Sequence, residues 1–225
     1  MADVDRVAEE IVQDLAKAIA AIERGRTPGT SIALTGPESA ALVSGYDRVF
    51  LEEATRSAAR SRQGRSQGDS RLEAGGAAAA ILCSVAACEA YVSEYIARTE
   101  LAAGALRSKL QEIQQDSDAL RQWNSLLKEY SSSFGAGRSR EYLALGCLFQ
   151  VRDLVAHRNA RTLPLGTFPT SLSDCVRQRI IPVHKATNAD WTSVLFVAEV
   201  AEWAEQTARV WLGLADQHLP NPTRR

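Results

Sequence analysis

The segment Arg140 to Ala160, REYLALGCLFQVRDLVAHRNA, carries the side chains of this 225-residue chain best placed for chemistry. Read as a helix, its core face holds Tyr142, Leu145, Leu148, Phe149 and Val155, and Arg152 falls on that same face, four after Leu148 and three before Val155. Desolvating an unpaired guanidinium costs several kcal/mol, so Arg152 requires an acidic partner or an opening towards a ligand. Glu89 is the candidate partner. It lies four after Val85 and three before Val92 in ILCSVAACEAYVSEYI and so also points inward. A buried ion pair that merely holds two helices in register is the alternative use of these residues.

His157 follows Arg152 by five residues, about 140° around a regular helix, so the two side chains do not stack. Asp153, four before His157, shares its face and can orient the imidazole or raise its pKa. An imidazole titrates near neutrality and can move a proton in either direction, although a lone helical histidine is more often structural. Arg158, Asn159 and Arg161 close the segment as a small polar and basic cluster.

Other candidates are weaker. Cys83, Cys88, Cys147 and Cys175 show no C-x-x-C spacing, and two of them sit in apolar helical sequence, so they read as small hydrophobes with neither a disulfide framework nor a zinc cage. His184 and His218 have no nucleophile motif or ligand spacing around them. The GxG of Gly135 and Gly137 follows no strand and is no phosphate loop.

These side chains need helices to position them, and the composition supplies helices. Hydrophobic residues reach 45%, aromatics only 6%, and roughly one residue in six is Ala, the best helix former. A formal charge of -1 with 24% charged residues fits neither a polyanion-seeking basic protein nor a disordered acidic one. Of 26 basic residues only four are Lys, a bias that suits phosphate binding but, with a net charge near zero, is better explained by a GC-rich coding sequence. No secretory signal is expected, and the longest uncharged run, Gly75 to Cys88, falls short of a membrane span, so the expected location is cytoplasmic, without membrane contact.

Periodicity predicts helices over about 3–24, 38–61, 71–99, 105–131, 139–159 and 190–217. Residues 25–37 read as a loop. SRQGRSQGDS at 61–70 lacks any apolar residue and reads as an exposed linker, dividing an N-terminal helical extension (1–63) from a bundle (71–218). Asp116 to Asp118 interrupt the fourth helix only weakly. The last helix has two apolar stripes, which places it between the bundle core and either another subunit or the N-terminal helices. The long connection 160–189 holds VRQRII at 176–181, whose alternation resembles a short edge strand, with Arg177 and Arg179 at least as readily ordinary solvated charges as contacts to a ligand. The fold class expected is all-α, an up-and-down bundle.

Arg152 and His157 in RDLVAH, with Asp153 after the Arg, resemble the Arg-x4-6-His motif of the HEPN superfamily. The context also resembles it: the motif lies late in a helical bundle, and ILCSVAACEAYVSEYI is similar to the family's opening helix with its inward acidic residue, here Glu89. The resemblance covers roughly residues 71–217 and leaves the first sixty unexplained. It implies a HEPN-like bundle and a metal-independent endoribonuclease without cofactor. It further implies a homodimer in which two motif helices face each other across a composite cleft. His157 would then act as general base or acid and Arg152 would stabilise the phosphorane charge. The products would be a 2′,3′-cyclic phosphate and a 5′-OH end. Relatives of that kind serve as toxins with an antitoxin partner or as effectors of abortive infection and other defence. Two alternatives remain: an inactive HEPN-like module binding nucleotide, RNA or protein, with Arg158, Arg161, Arg177 and Arg179 on phosphate, and a purely structural helical dimer.

Overall fold

The chain is represented by a computed structural model that describes residues 45–100, 105–116, 118–130, 139–156, 163–183 and 190–219. The expected helix at 3–24, the loop at 25–37 and the GxG at 135–137 lie outside them. The described residues are all-helical, with no strand among them: α1 (Tyr46–Gln67), α2 (Ser70–Glu100), α3 (Ala105–Gln114), α4 (Ala119–Tyr130), α5 (Arg140–Ala156), α6 (Thr170–Arg177), α7 (Trp191–Leu195) and α8 (Ala198–His218).

The expected linker at 61–70 is helix instead, up to Gln67. Only Gly68 and Asp69 turn the chain, Gly68 in the left-handed conformation at φ 69° and Asp69 accepting the N–H groups of Arg71 and Leu72 at 3.0 Å to cap α2. The resulting hairpin is closed by small residues. Ala54, Ser57, Ala58, Ser61 and Gly64 form the buried stripe of α1, and Gly64 and Gly76 let the two backbones touch. A Cβ on Gly76 would sit 2.5 Å from the Ser61 nitrogen, and one on Gly64 would sit 2.3 Å from the Glu73 nitrogen. Ser61 Oγ donates to the Glu73 carbonyl at 2.8 Å across the same seam.

Helix α2 is the axis on which α1, α3, α4, α5 and α8 pack. It is long and apolar enough to cross a membrane by length and composition, and here that apolar surface lies largely against the neighbouring helices. Two of its carboxylates also hold the starts of other helices. Glu94, buried, accepts the N–H groups of Gly45 at 3.3 Å and Tyr46 at 3.0 Å at the start of α1, and Glu73 accepts that of Ala198 at 3.1 Å at the start of α8. Carboxylates there meet orphan donors and the positive end of the helix dipole.

The core runs through a chain of rings, Tyr95, Tyr91, Trp123, Trp211 and Tyr142, with successive centroids 5.5 to 6.4 Å apart. Trp123 Nε1 donates to the Cys88 carbonyl at 3.2 Å, satisfying the indole at the junction of α2 and α4.

Two helices expected to be continuous are each divided. The segment 105–131 is α3 and α4, because Asp118 Oδ1 accepts the N–H groups of Leu120 at 2.9 Å and Arg121 at 3.3 Å and so begins a new helix. The last helix breaks at Phe196 and Val197 into α7 and α8. Helix α8 packs on α1, α2 and α5, while Val210 of its second stripe stays exposed. Ala58, Ala77, Ala80 and Ala201 form the three-helix junction. Thr55 Oγ1 donates to Glu205 Oε1 at 3.0 Å, and Arg62–Glu202 and Arg65–Glu199 pair along the surface.

Candidate functional site around Arg152

Helix α5 begins at Ser139, whose Oγ accepts the Tyr142 N–H at 3.1 Å, and buries Leu145, Cys147, Leu148, Phe149 and Val151 against the core. That burial carries Arg152 to the seam with α2. There its Nη2 donates to Glu89 Oε1 at 2.9 Å, the pairing the spacing predicts. Asp153 Oδ1 lies 3.1 Å from Arg152 Nε, a charge contact without hydrogen-bond alignment, since Nε is buried with no hydrogen-bond acceptor among the described residues. The guanidinium carbon sits 5.5 Å from the Phe149 ring centroid, within range of a cation–π contact.

The Arg152 side chain remains 27% exposed, that of Glu89 37% and that of Asp153 58%, so the cluster is half-buried and open on one side. Burial pushes the Glu89 carboxyl above its ordinary value; Arg152 opposes this, while Asp153 and Asp118 reinforce it. Asp118, the cap of α4, is thus a third carboxylate in the field of this site, and one that the sequence pattern did not single out. Its signal was present in DSDAL, a capping aspartate directly before an apolar run. One guanidinium among these acids has no net positive charge to offer. Its capacity for an anion rests on the N–H donors that Glu89 leaves unused.

His157, Arg158, Asn159 and Arg161 lie outside the described residues, as does His184. Among the described residues no group of His, Cys, Asp and Glu side chains is arranged to hold a metal.

The cysteines require a correction. Cys147 of α5 and Cys175 of α6 are joined by a disulfide, whereas Cys83 and Cys88 are free and buried as small hydrophobes. Spacing could not reveal the bond, because the two cysteines lie 28 positions apart in sequence and meet only where α6 packs on α5.

Arg177 and Arg179 also differ from expectation. VRQRII is not a strand: Val176 and Arg177 end α6, and the chain leaves through a Schellman turn in which Ile180 N–H donates to the Cys175 carbonyl at 2.9 Å and Arg179 N–H to that of Val176 at 3.0 Å. Alternation misled because one helical turn followed by a reversal presents the same apolar and basic order as a strand. Arg179 occupies the position where Gly is usual, at φ 53°, the one described non-Gly residue with positive φ. That conformation costs a side chain about 1 kcal/mol or more. Arg177 pairs with Asp174 at 2.8 Å, both well exposed; no described carboxylate pairs with Arg179.

No protein-family model matches the chain, and neither does a curated protein or a solved structure.

Proposed function

We propose that this protein is a metal-independent endoribonuclease of the HEPN kind, acting as a homodimer and cleaving RNA by attack of the ribose 2′-OH. The observation that supports this best is the pairing of Arg152 with Glu89 on packed helices α5 and α2, in the order the motif requires and with the guanidinium partly open to solvent. In this scheme His157 takes the proton from the 2′-OH as O2′ bonds to phosphorus. Arg152 steadies the charge on the non-bridging oxygens. The P–O5′ bond breaks, the leaving oxygen takes a proton, and a 2′,3′-cyclic phosphate and a 5′-OH end result. Glu89 and Asp153 hold the guanidinium in place. Such an enzyme damages RNA wherever it is free to act, so its setting is that of a toxin restrained by a partner protein, or of a defence effector against phage.

A second use is favoured by one specific observation. Arg152 already faces Glu89 and Asp153, with Asp118 adding its field, and so is more nearly neutralised than a phosphate-binding arginine needs to be. An inactive module that binds RNA or protein would retain the same contacts.

The deciding experiment is cleavage of a structured RNA pool in EDTA by the wild type, Arg152→Ala and His157→Ala, with product ends analysed. The nuclease assignment requires wild-type cleavage to cyclic-phosphate ends and a loss of at least about a hundredfold in both variants. RNA binding without cleavage by a confirmed dimer would favour the inactive module.

A further inference from the structure

The turn after α6 opens onto a cleft of about 820 Å³ lined by Phe168, Val176, Arg177, Arg179, Ile181 and Val183 among others. It is separate from the Arg152 cluster, yet α6 is bonded to the motif helix through Cys147 and Cys175. We propose that this cleft is a substrate subsite that takes one nucleotide of single-stranded RNA, its phosphate on Arg179 and Arg177 and its base against Phe168. The proposal rests on the ribonuclease reading above and adds to it the element that selects the strand.

Four observations converge on this occupant. The volume lies within the range of sites that enclose a small molecule, which suits a single splayed nucleotide and not a duplex. The lining joins a half-buried aromatic ring and aliphatic side chains to two guanidinium groups, the combination that stacks a base and binds its phosphate. Arg179 has no carboxylate partner among the described residues, and the Arg177–Asp174 pair is exposed and easily exchanged for a phosphate. Finally, an arginine stands where glycine would relieve the backbone, so the turn gives up local stability to hold a cation at the mouth of the cleft. The C-terminal dipole of α6 opposes an anion with about half a charge, against the one net positive charge that Arg177 and Arg179 leave once Asp174 is counted.

The disulfide gives this arrangement its geometry. Cys175 is four residues before Arg179, and Cys147 is five before Arg152, so cleft and motif are carried on two covalently joined helices. A strand seated in the cleft would be held on a helix that the disulfide fixes to the motif helix.

The test is fluorescence anisotropy of the full chain with a labelled ten-nucleotide 2′-O-methyl RNA, which lacks the attacking hydroxyl, alongside cleavage of unmodified RNA. Arg179→Gly removes the charge while suiting the turn, so its melting temperature should equal or exceed that of the wild type. Its affinity should fall about tenfold, with the salt slope reduced by about 0.7. Phe168→Leu should weaken binding to a similar degree. If Arg179→Gly misfolds, Arg179→Asn, which also tolerates the left-handed conformation, replaces it. Equal binding by the wild type and the folded variant, or no binding by the wild type at 50 mM salt, overturns the subsite. So does displacement by polyglutamate but not by a nucleoside 5′-monophosphate, which would make it an acidic-peptide site. Cleavage separates the two claims. A wild type that cleaves while Arg179→Gly binds and cleaves equally well removes the subsite and leaves the nuclease. A wild type that binds through Arg179 without cleaving does the reverse.

Discussion

Arg152 Nη2 and Glu89 Oε1 meet at 2.9 Å although 63 positions separate them in the chain, and their contact joins the motif helix α5 to the central helix α2. The burial that raises the Glu89 pKa makes its charge a liability that Arg152 only partly offsets. Glu89→Ala leaves a partly buried cation short of an acceptor and should cost about 1 kcal/mol after allowance for exposure, read by urea denaturation. Glu89→Gln keeps an acceptor and should cost less than about half of that.

The same shift has a sign in pH. A carboxyl whose folded pKa is raised binds its proton more tightly in the folded state, so its contribution is present below the ordinary 4.5 and is lost as pH rises through the folded value. The wild type should therefore gain on Glu89→Gln as pH falls from 7 to 4. A loss over that range would mean that pairing with Arg152 outweighs burial.

Gly64 and Gly76 offer a contest between helix propensity and packing. Alanine improves a helix by about 1 kcal/mol over glycine, but a Cβ at either position would lie within 2.5 Å of the facing backbone. Overpacking of that kind costs about 1–3 kcal/mol and requires α1 and α2 to separate. Gly76→Ala should thus lower the melting temperature, while Gly213→Ala, whose Cβ meets nothing within 4 Å among the described residues, should leave it unchanged or raise it.

Reducing Cys147–Cys175, or replacing both by Ala, should cost about 3–4 kcal/mol by the loop-closure relation for a separation of 28. In a chain of this length that is roughly 10 °C in melting temperature. Cys83, its thiol pushed up to about 11 by burial, and Cys88, raised further still, should resist iodoacetamide at pH 8 until the protein is unfolded. Two thiols should then titrate in the non-reduced chain, and four after reduction.

Glu94 is the buried acid that starts α1. Glu94→Ala removes acceptors from the Gly45 and Tyr46 N–H groups, and about 2 kcal/mol of stability should go with them. Hydrogen exchange should show the first turn of α1 opening ahead of the rest.

Composition and periodicity were enough for the all-helical class, for α2 almost residue by residue, and for the inward direction of both Arg152 and Glu89. Large apolar side chains at three- and four-residue spacing have a direct physical consequence wherever they occur. What escaped that logic was contact made by small or polar groups. Ala54, Ser57, Ala58, Ser61 and Gly64 repeat at helical spacing, but a stripe of such residues buries little area by itself and becomes a seam only when a second helix with Gly76, Ala77 and Ala80 lies against it. The break at Asp118 likewise depends on local capping winning over continued periodicity, whereas the start of α8 after Phe196 is held by Glu73 from across the fold.

The chain alone therefore determined the all-helical class, the span of α2 and the facing of Arg152 towards Glu89, because these follow from neighbours within a few residues; it did not show the helix through 61–67, the helix α6 or the inward turn of Glu94. Only the tertiary structure decided which Cys finds Cys147, that Asp118 shares the field of Glu89, and that Arg179 stands in a strained turn at the mouth of a cleft. Each of these relations joins residues whose separation in sequence says nothing of their separation in space until the helices have packed.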